Sequence, residues 1–238
     1  MADRFFCADL SNTSATLDGP EAHHALHVLR LNVGSEIHLF DGRGTSVIGV
    51  VDATGRREVV VSIQQRHFTE QQDSGQVIVA ASPPKGDRMK WMIEKLTELG
   101  VDQFIPLRTH RTIVDAGKSK REKLEATIIS AAKQCGRDWL MKVTEPVDFK
   151  TLISNTAGQH SLHIAHPYPI GKTATDTATN DPPSKMVLVG PEGGFTNDEV
   201  AFAAAAGAIP LEWPGTILRV ETAAIMAAIV LCGQTHTR

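Results

Sequence analysis

The apolar pattern of this chain changes period once, and that change limits what each half can fold into. Up to about residue 65 the apolar segments are short and rich in Val, Ile and Phe. They lie at 36–40, 46–51 and 58–63, with Asp41, Gly42 and Gly44 punctuating the first two. Such residues suit a pleated, half-buried surface, and the punctuation marks tight turns. One helix is expected before them, at 21–31, because Ala25, Val28 and Leu29 share a helical face. Several strands with a single helix predict a small β-barrel. The polar stretch 67–76 reads as a linker.

From Val77 onward strands alternate with helices. Strands are expected at 77–81, 104–107, 161–165, 186–189 and 210–213, and helices at 88–99, 118–135 and 222–231. Met89, Met92, Ile93 and Leu96 repeat at the three-to-four spacing of a buried helix face. A further helix begins at Thr196, which with Glu199 forms an S/T-x-x-E capping box. This alternation predicts an α/β domain whose parallel sheet carries helices on both faces. Residues 168–185, rich in Thr, Pro and Asp, are expected to be a mobile surface loop inside that domain, since strands of one sheet flank them. The expected organisation is a barrel at 1–70 and an α/β domain at 75–238, without internal repeats.

Composition narrows the function classes. The chain is 42% hydrophobic over 238 residues, enough for both cores, yet no apolar run approaches the roughly 18 residues of a membrane span. The N-terminus lacks a signal-peptide run, so a cytoplasmic protein is expected. Cys7, Cys135 and Cys232 form no CxxC pair and are expected to be buried free thiols. His23 and His27 stand at i, i+4, but no third ligand has matching spacing, and His160, His163 and His166 would scatter over both faces of a strand. No metal site is expected. The chain carries a net charge of −3, yet residues 108–142 hold nine Lys/Arg against four acids. A charge run is commonly a solvated helix face; its contrast with the rest of the chain also suits a surface facing phosphates.

Two segments carry candidate chemistry. Val187-Leu188-Val189-Gly190-Pro191-Glu192-Gly193-Gly194-Phe195 runs a buried strand into a three-glycine turn before the capped helix. It exposes backbone N–H groups at the carboxyl end of a sheet, where open α/β folds bind ligands. It matches neither GxGxxG nor a P-loop, and a strand–turn–helix connection needs no ligand. In Gly215-Thr216-Ile217-Leu218-Arg219-Val220-Glu221-Thr222-Ala223-Ala224, an Arg and a Glu precede a small-residue helix. Glu221 suits the positive end of that helix dipole, as a plain capping acid would.

Together, GPEGGF and ILRVETA resemble the signature pair of the RsmE family, the 16S ribosomal RNA uracil-N3 methyltransferases of the SPOUT class. His23 to Arg30, with Gly34 and Phe40-Asp41-Gly42, is similar to that family's N-terminal PUA-like barrel. Lys95-Leu96-Thr97-Glu98-Leu99-Gly100-Val101 with Pro106 and Arg111 resembles the opening of its catalytic domain, and Ala131-Ala132-Lys133-Gln134-x-x-Arg137 its next helix. The chain departs from the family at Trp213-Pro214-Gly215, where Leu-Gly usually precedes ILR, and around Leu140–Met141, where a Pro is common.

The resemblance implies an α/β domain with a deep C-terminal trefoil knot, a homodimer, and S-adenosylmethionine bound by the knotted loops. The implied cofactor residues are Ala165, His166, Leu188, Val189, Gly190, Pro191, Glu192, Gly193, Gly194, Leu211, Ile217, Leu218 and Val220, with Leu188, Ile217 and Leu218 packing on adenine. Arg219 would stabilise the anionic uracil or orient the RNA phosphate. Glu221 would hold Arg219 or accept the N3 proton. Arg4, Arg30, Arg108, Arg111 and Arg137 would contact 16S rRNA of the small ribosomal subunit. A SPOUT enzyme with another RNA target, or a non-catalytic RNA-binding assembly factor, are the competing readings.

Overall fold

The computed structural model describes residues 3–71, 75–113, 121–166, 184–212 and 216–233. It divides into two compact units, Met1–Gln71 with Ile129–Leu140, and Gln72–Ile128 with Met141–Arg238. The division is therefore not a single cut in the sequence.

The first unit holds a five-stranded sheet in the order β1-β3-β4-β5-β2. Its strands are β1 (Arg4–Phe6), β2 (Ser14–Leu17), β3 (Glu36–Phe40), β4 (Thr45–Thr54) and β5 (Val59–Phe68). β1 pairs parallel with β3, and the other pairings are antiparallel. Alternation along β4 turns Val47 and Val51 inward with Ile37, Leu39, Val59 and Val61. Two register shifts in the β4–β5 pairing, with Gln64 extra in β5 and Asp52 extra in β4, bend the pair as a curling sheet requires.

The expected helix 21–31 is instead a short α1 (Gly19–His23) continued by a π turn, His24–Val28. The wider turn closes Leu29 N–H onto the His24 carbonyl at 3.0 Å, which rotates Val28 outward to 60% exposure. Only Ala22 and Ala25 of this segment are buried. Residues 129–140 group with the sheet through specific bonds. Arg4 pairs with Asp138, the Gly44 N–H donates to the Asp138 carbonyl at 3.2 Å, and Trp139 Nε1 donates to the Thr69 carbonyl at 2.8 Å. Gly44 is obligatory here: its φ is +94°, and a Cβ would lie 2.7 Å from the Trp139 indole.

The second unit contains a wholly parallel main sheet in the order β12-β10-β11-β6-β7-β8, with β9 also on β7. The strands are β6 (Gln76–Ala81), β7 (Gln103–Arg108), β8 (Lys142–Val143), β9 (Val147–Asp148), β10 (Ser161–Ala165), β11 (Ser184–Val189) and β12 (Ile209–Leu211). The helices are α2 (Arg88–Glu98), α3 (Arg121–Cys135), α4 (Phe149–Thr156), α5 (Asn197–Ala205) and α6 (Val220–Gly233), and α3 crosses the division between the units. Ile78, Ala80, Ile105, Leu107, Met186 and Leu188 form one core with Phe149 and Ile153 of α4 and Ala203 of α5. By the two-residue period Val79, Phe104 and Val187 turn to the other face. There α2 packs on α6 and buries Met92, Ile93 and Leu96 with Ala224, Ala227, Ala228 and Leu231.

The parallel α/β expectation holds. β11 begins at Ser184, so the last two residues of the expected loop 168–185 belong to the strand, and 168–183 lie outside the described residues. The start of the expected helix 118–135 and the strand end at Trp213 also lie outside them. So does the path of residues 167–183 and 213–215, on which the expected knot depends.

Candidate active site

Four strands of the second unit stop in register. Leu211 pairs with Ala165, Ala165 with Val189, and Val189 with Ala81, so Glu212, His166, Gly190 and Ser82 leave the sheet along one edge. The Ser82 N–H still donates to the Val189 carbonyl at 3.0 Å, which ties the loop after β6 to the end of β11. Carboxyl ends of parallel strands where the order reverses are where such sheets bind ligands.

The turn after β11 is built rigidly. The Gly194 N–H donates to the Pro191 carbonyl at 2.8 Å, and Gly194 has a φ of +67°, a conformation glycine adopts without cost. Below it Phe195 is buried, its ring 5.2 Å from that of Phe149. The capping box is present: the Thr196 hydroxyl accepts from the Glu199 N–H, and Glu199 accepts from the Thr196 N–H at 2.8 Å. The second Glu199 oxygen accepts from the His110 N–H at 2.8 Å, and Arg111 Nη1 donates to the Gly193 carbonyl at 2.5 Å. The loop after β7 therefore braces the glycine turn from outside.

The expected cofactor residues divide by accessibility. Ala165, His166, Gly190, Gly194, Leu211 and Leu218 are half-buried, and Glu192, Gly193 and Ile217 are exposed along the edge. Val189, Pro191 and Val220 are buried. Leu188 corrects the expectation that it packs on adenine: its side chain lies wholly inside the core cluster with Phe195 and Ile164, because even-numbered positions of β11 face α4 and α5. It supports the turn from below.

The second motif opens α6. The Arg219 carbonyl accepts from the Ala223 N–H at 2.8 Å, its side chain is exposed, and Glu221 is buried at 5%. The expected Arg219–Glu221 pairing is replaced by another. Glu221 Oε1 lies 3.7 Å from Arg88 Nη1, and Arg88 Nη2 lies 3.5 Å from Glu192 Oε1. Residues two apart at a helix start point in different directions, so Arg219 turns to solvent while Glu221 turns toward α2. Arg88 Nε also donates to the Lys85 carbonyl at 3.3 Å. Glu221 Oε2 is buried and has no hydrogen-bond partner among the described residues.

Arg88 is the site residue that sequence reasoning missed. The available signal was its loop, Ser82-Pro83-Pro84-Lys85-Gly86-Asp87, a glycine-containing connection at the carboxyl end of a buried strand. The buried Ser82, whose hydroxyl contacts the Leu107 carbonyl and Thr112 Oγ1 at 3.2 Å each, was also passed over.

The five candidate RNA arginines have different surroundings. In the first unit, Arg4 is only 17% exposed, pairs with Asp138, donates to the Arg137 carbonyl and lies 4.4 Å over the Phe40 ring. It is a framework residue, its guanidinium consumed by those contacts. Arg30 is exposed with a φ of 55°, and Arg137 is half-buried. In the second unit, Arg108 and Arg111 are exposed, Arg111 being engaged with Gly193. Lys133 of the basic segment is likewise neutralised by Glu21 at 2.8 Å. Among the cysteines, Cys7 and Cys232 are buried as expected, but Cys135 is exposed at the last turn of α3, corrected by its place on the outer helix face.

Residues 70–232 match the family described as RNA methyltransferase domain, and residues 17–64 the RNA methyltransferase PUA domain. A ribosomal RNA small subunit methyltransferase E from Synechocystis is 28% identical over 234 residues, covering 95% of this chain and 76% of that protein. A probable rRNA-methyltransferase from Porphyromonas gingivalis superposes with a TM-score of 0.84 at 29% identity, covering 99% of this chain and 97% of the other. The ribosomal RNA small subunit methyltransferase E of Neisseria gonorrhoeae, solved bound to S-adenosyl methionine, superposes with a TM-score of 0.83 at 26% identity and covers 98% of both chains. The motif pair, the parallel edge that joins it and a family match over most of the length agree: the chain belongs to the RNA methyltransferase family, in its RsmE branch.

Proposed function

We propose that this protein methylates N3 of a uridine in 16S rRNA of the small ribosomal subunit, using S-adenosylmethionine. One observation carries the reading: GPEGG and RVETA, distant in sequence, meet at one sheet edge and are bridged by a single guanidinium.

The residues at that edge suit this cofactor. The glycine turn offers backbone N–H groups to its carboxylate and adenine edge, Ile217 and Leu218 offer an accessible apolar face, and Glu192 and Glu221 supply negative charge for its cationic end. Ala165, His166, Val189 to Gly194, Leu211, Ile217, Leu218 and Val220 would hold it, partly through backbone atoms. When bound it supplies an electrophilic methyl group, so the protein's share is placement and proton handling.

N3 lies on the Watson–Crick edge, so the uridine must be unpaired before reaction. Holding N3 in line with the methyl group can contribute much of the roughly 7–11 kcal/mol available from orientation. Arg219, exposed beside the turn, stabilises the developing uracil anion. Glu221 is the proton acceptor, its Oε2 free of a protein donor among the described residues. The domain at 1–70 binds RNA through its exposed cations, Arg30 among them, and the domain at 75–238 carries catalysis. Trp91 on α2 and Met226 and Ile229 on α6 leave apolar surface exposed on adjoining helices, which suits a homodimer. No described helix is long and apolar enough to cross a membrane, and a ribosomal substrate implies a cytoplasmic enzyme.

The test is incubation with methyl-labelled S-adenosylmethionine and small subunits from a strain lacking the modification, with large subunits as control. Label recovered in 3-methyluridine supports the reading, and label in any other nucleoside, or none, overturns the target. Arg219→Ala should lower kcat by about 100-fold or more, the loss found when one oxyanion donor is removed.

A further inference from the structure

The three glycines of the turn after β11 are each required by something different. Gly194 has a φ of +67° and open space where a Cβ would stand, so its backbone conformation demands glycine. Gly190 has no positive φ; a Cβ there would lie 3.2 Å from the ring of Phe195, which is buried. Gly193 lacks a positive φ too, and among the described residues a Cβ there would meet one side chain from another loop: Arg111, at 3.3 Å from its Cδ and 3.7 Å from its Cβ. The methylenes of Arg111 thus lie across Gly193, while its Nη1 donates to the Gly193 carbonyl at 2.5 Å.

Arg111 has little freedom to withdraw. Its loop is closed by the Thr112 N–H donating to the Thr109 carbonyl at 3.1 Å and the Thr109 N–H donating to Thr112 Oγ1 at 2.8 Å. Thr112 Oγ1 also meets the buried Ser82 hydroxyl at 3.2 Å, and the neighbouring His110 N–H donates to Glu199 Oε1 at 2.8 Å. The backbone at Arg111 is therefore held to the end of β6 on one side and to α5 on the other. An ordinary carbon–carbon contact is about 3.5–4.0 Å. A methyl group at Gly193 would therefore push the outer part of the Arg111 side chain away by a few tenths of an ångström, at the expense of its bond to the carbonyl.

We infer that Gly193 is the seat of Arg111, and that Arg111 is a positioning residue for S-adenosylmethionine: clamped on that seat, it fixes the Gly193 carbonyl and with it the direction of the turn's N–H groups. This rests on the proposed placement of the cofactor at this turn. It moves Arg111 from the RNA surface, where the basic run around it suggests a phosphate contact, to the frame of the cofactor site. Arg111 touches none of the reacting atoms, so its loss raises KM for the cofactor and leaves kcat nearly unchanged.

The experiment is a double-variant cycle of Arg111→Ala, Gly193→Ala and the two together, read by calorimetric titration of S-adenosylmethionine and by urea unfolding. Each single variant should weaken cofactor binding about tenfold, the effect of losing one hydrogen bond from a charged group at an exposed side chain. The pair should weaken it no more than the worse single variant, because Arg111→Ala vacates the space that the methyl group of Gly193→Ala needs. Arg111→Lys, which keeps a cationic donor, should bind the cofactor more tightly than Arg111→Ala, and the salt slope of RNA binding should be the same in Arg111→Ala and wild type. Losses of cofactor affinity that multiply overturn the inference, as does a salt slope lowered by about one with cofactor affinity unmoved. Affinity unmoved in every variant, with unfolding losses that are coupled, sinks the placement of the cofactor at this turn while the seat stands. Unmoved affinity with additive unfolding losses overturns the seat itself.

Discussion

Glu199 is the residue whose removal should couple stability to cofactor binding most visibly. It is 6% exposed, and its two oxygens accept from three donors: His110 N–H at 2.8 Å, Thr196 N–H at 2.8 Å and Thr196 Oγ1 at 3.1 Å. Glu199→Ala leaves two backbone N–H groups without that acceptor. Bonds to a charged group are worth about 1.5–3 kcal/mol each when buried, and His110 is exposed enough to recover part from water. The expected loss is about 2–4 kcal/mol. Thr196→Ala removes the cap on the Glu199 N–H and the hydroxyl that donates to Glu199, but keeps both backbone N–H bonds to Glu199, so it should cost only about 1 kcal/mol. Because both variants break the same reciprocal box, the double variant should lose less than the two losses added. The His110 bond also anchors the loop whose Arg111 holds the Gly193 carbonyl, so Glu199→Ala should weaken S-adenosylmethionine binding roughly tenfold, while Thr196→Ala changes it little. Urea unfolding followed by circular dichroism, with calorimetric titration of the cofactor, measures both quantities. A Glu199→Ala protein within about 0.5 kcal/mol of wild type, or two losses that add fully, would refute the reasoning.

Three further outcomes follow. His160, partly buried with Nδ1 2.5 Å from Ser184 Oγ, is held below its ordinary value of 6.5 by burial. The unfolded chain therefore binds the proton more readily, and stability present above about 6.5 should fall as pH drops through it; His160→Gln should flatten that dependence in urea midpoints taken between about pH 5.5 and 7.5. Burial pushes the Cys7 thiol up, whereas Cys135 is exposed, so a disulfide reagent should label Cys135 quickly in native protein and Cys7 only after unfolding. Arg4→Ala should cost about 1–3 kcal/mol of stability through its half-buried partners, whereas Arg30→Ala should leave stability unchanged and reduce the salt slope of RNA binding by about one; equal salt slopes for Arg30→Ala and wild type would remove Arg30 from the interface.

The elements that were legible in the sequence are those whose burial is written into their own residues. β6, β7 and β11 are continuous apolar runs because both faces of a covered parallel sheet are dry, and α2 shows its stripe because only one side is. β1 and β2 hold three and four residues, too few for a period to emerge. The turn at His24–Val28 shares the spacing of an α-helix, and only the backbone reveals the extra residue that throws Val28 outward. Strand order was not legible at all, since β10 and β11 announce themselves as strands but not which neighbours they take.

The site divides along the same line. The glycine turn and the Arg219–Glu221 pair were legible because each needs local residue types: small ones for a tight turn, an acid for a helix start. Arg88 was not, because nothing near it in sequence needs a cation; its partners arrive only when β6, β11 and the approach to α6 come to one edge. The spacing of Arg219 and Glu221 suggested that they serve each other, but a helix start sends them apart, and the buried acid takes the cation that the sheet brings. Local motifs thus supply the glycine turn and the acid at the helix start, while the cation that bridges them is supplied by topology. A substitution at Arg88 should therefore act like one in the motif itself, although the residue lies outside both.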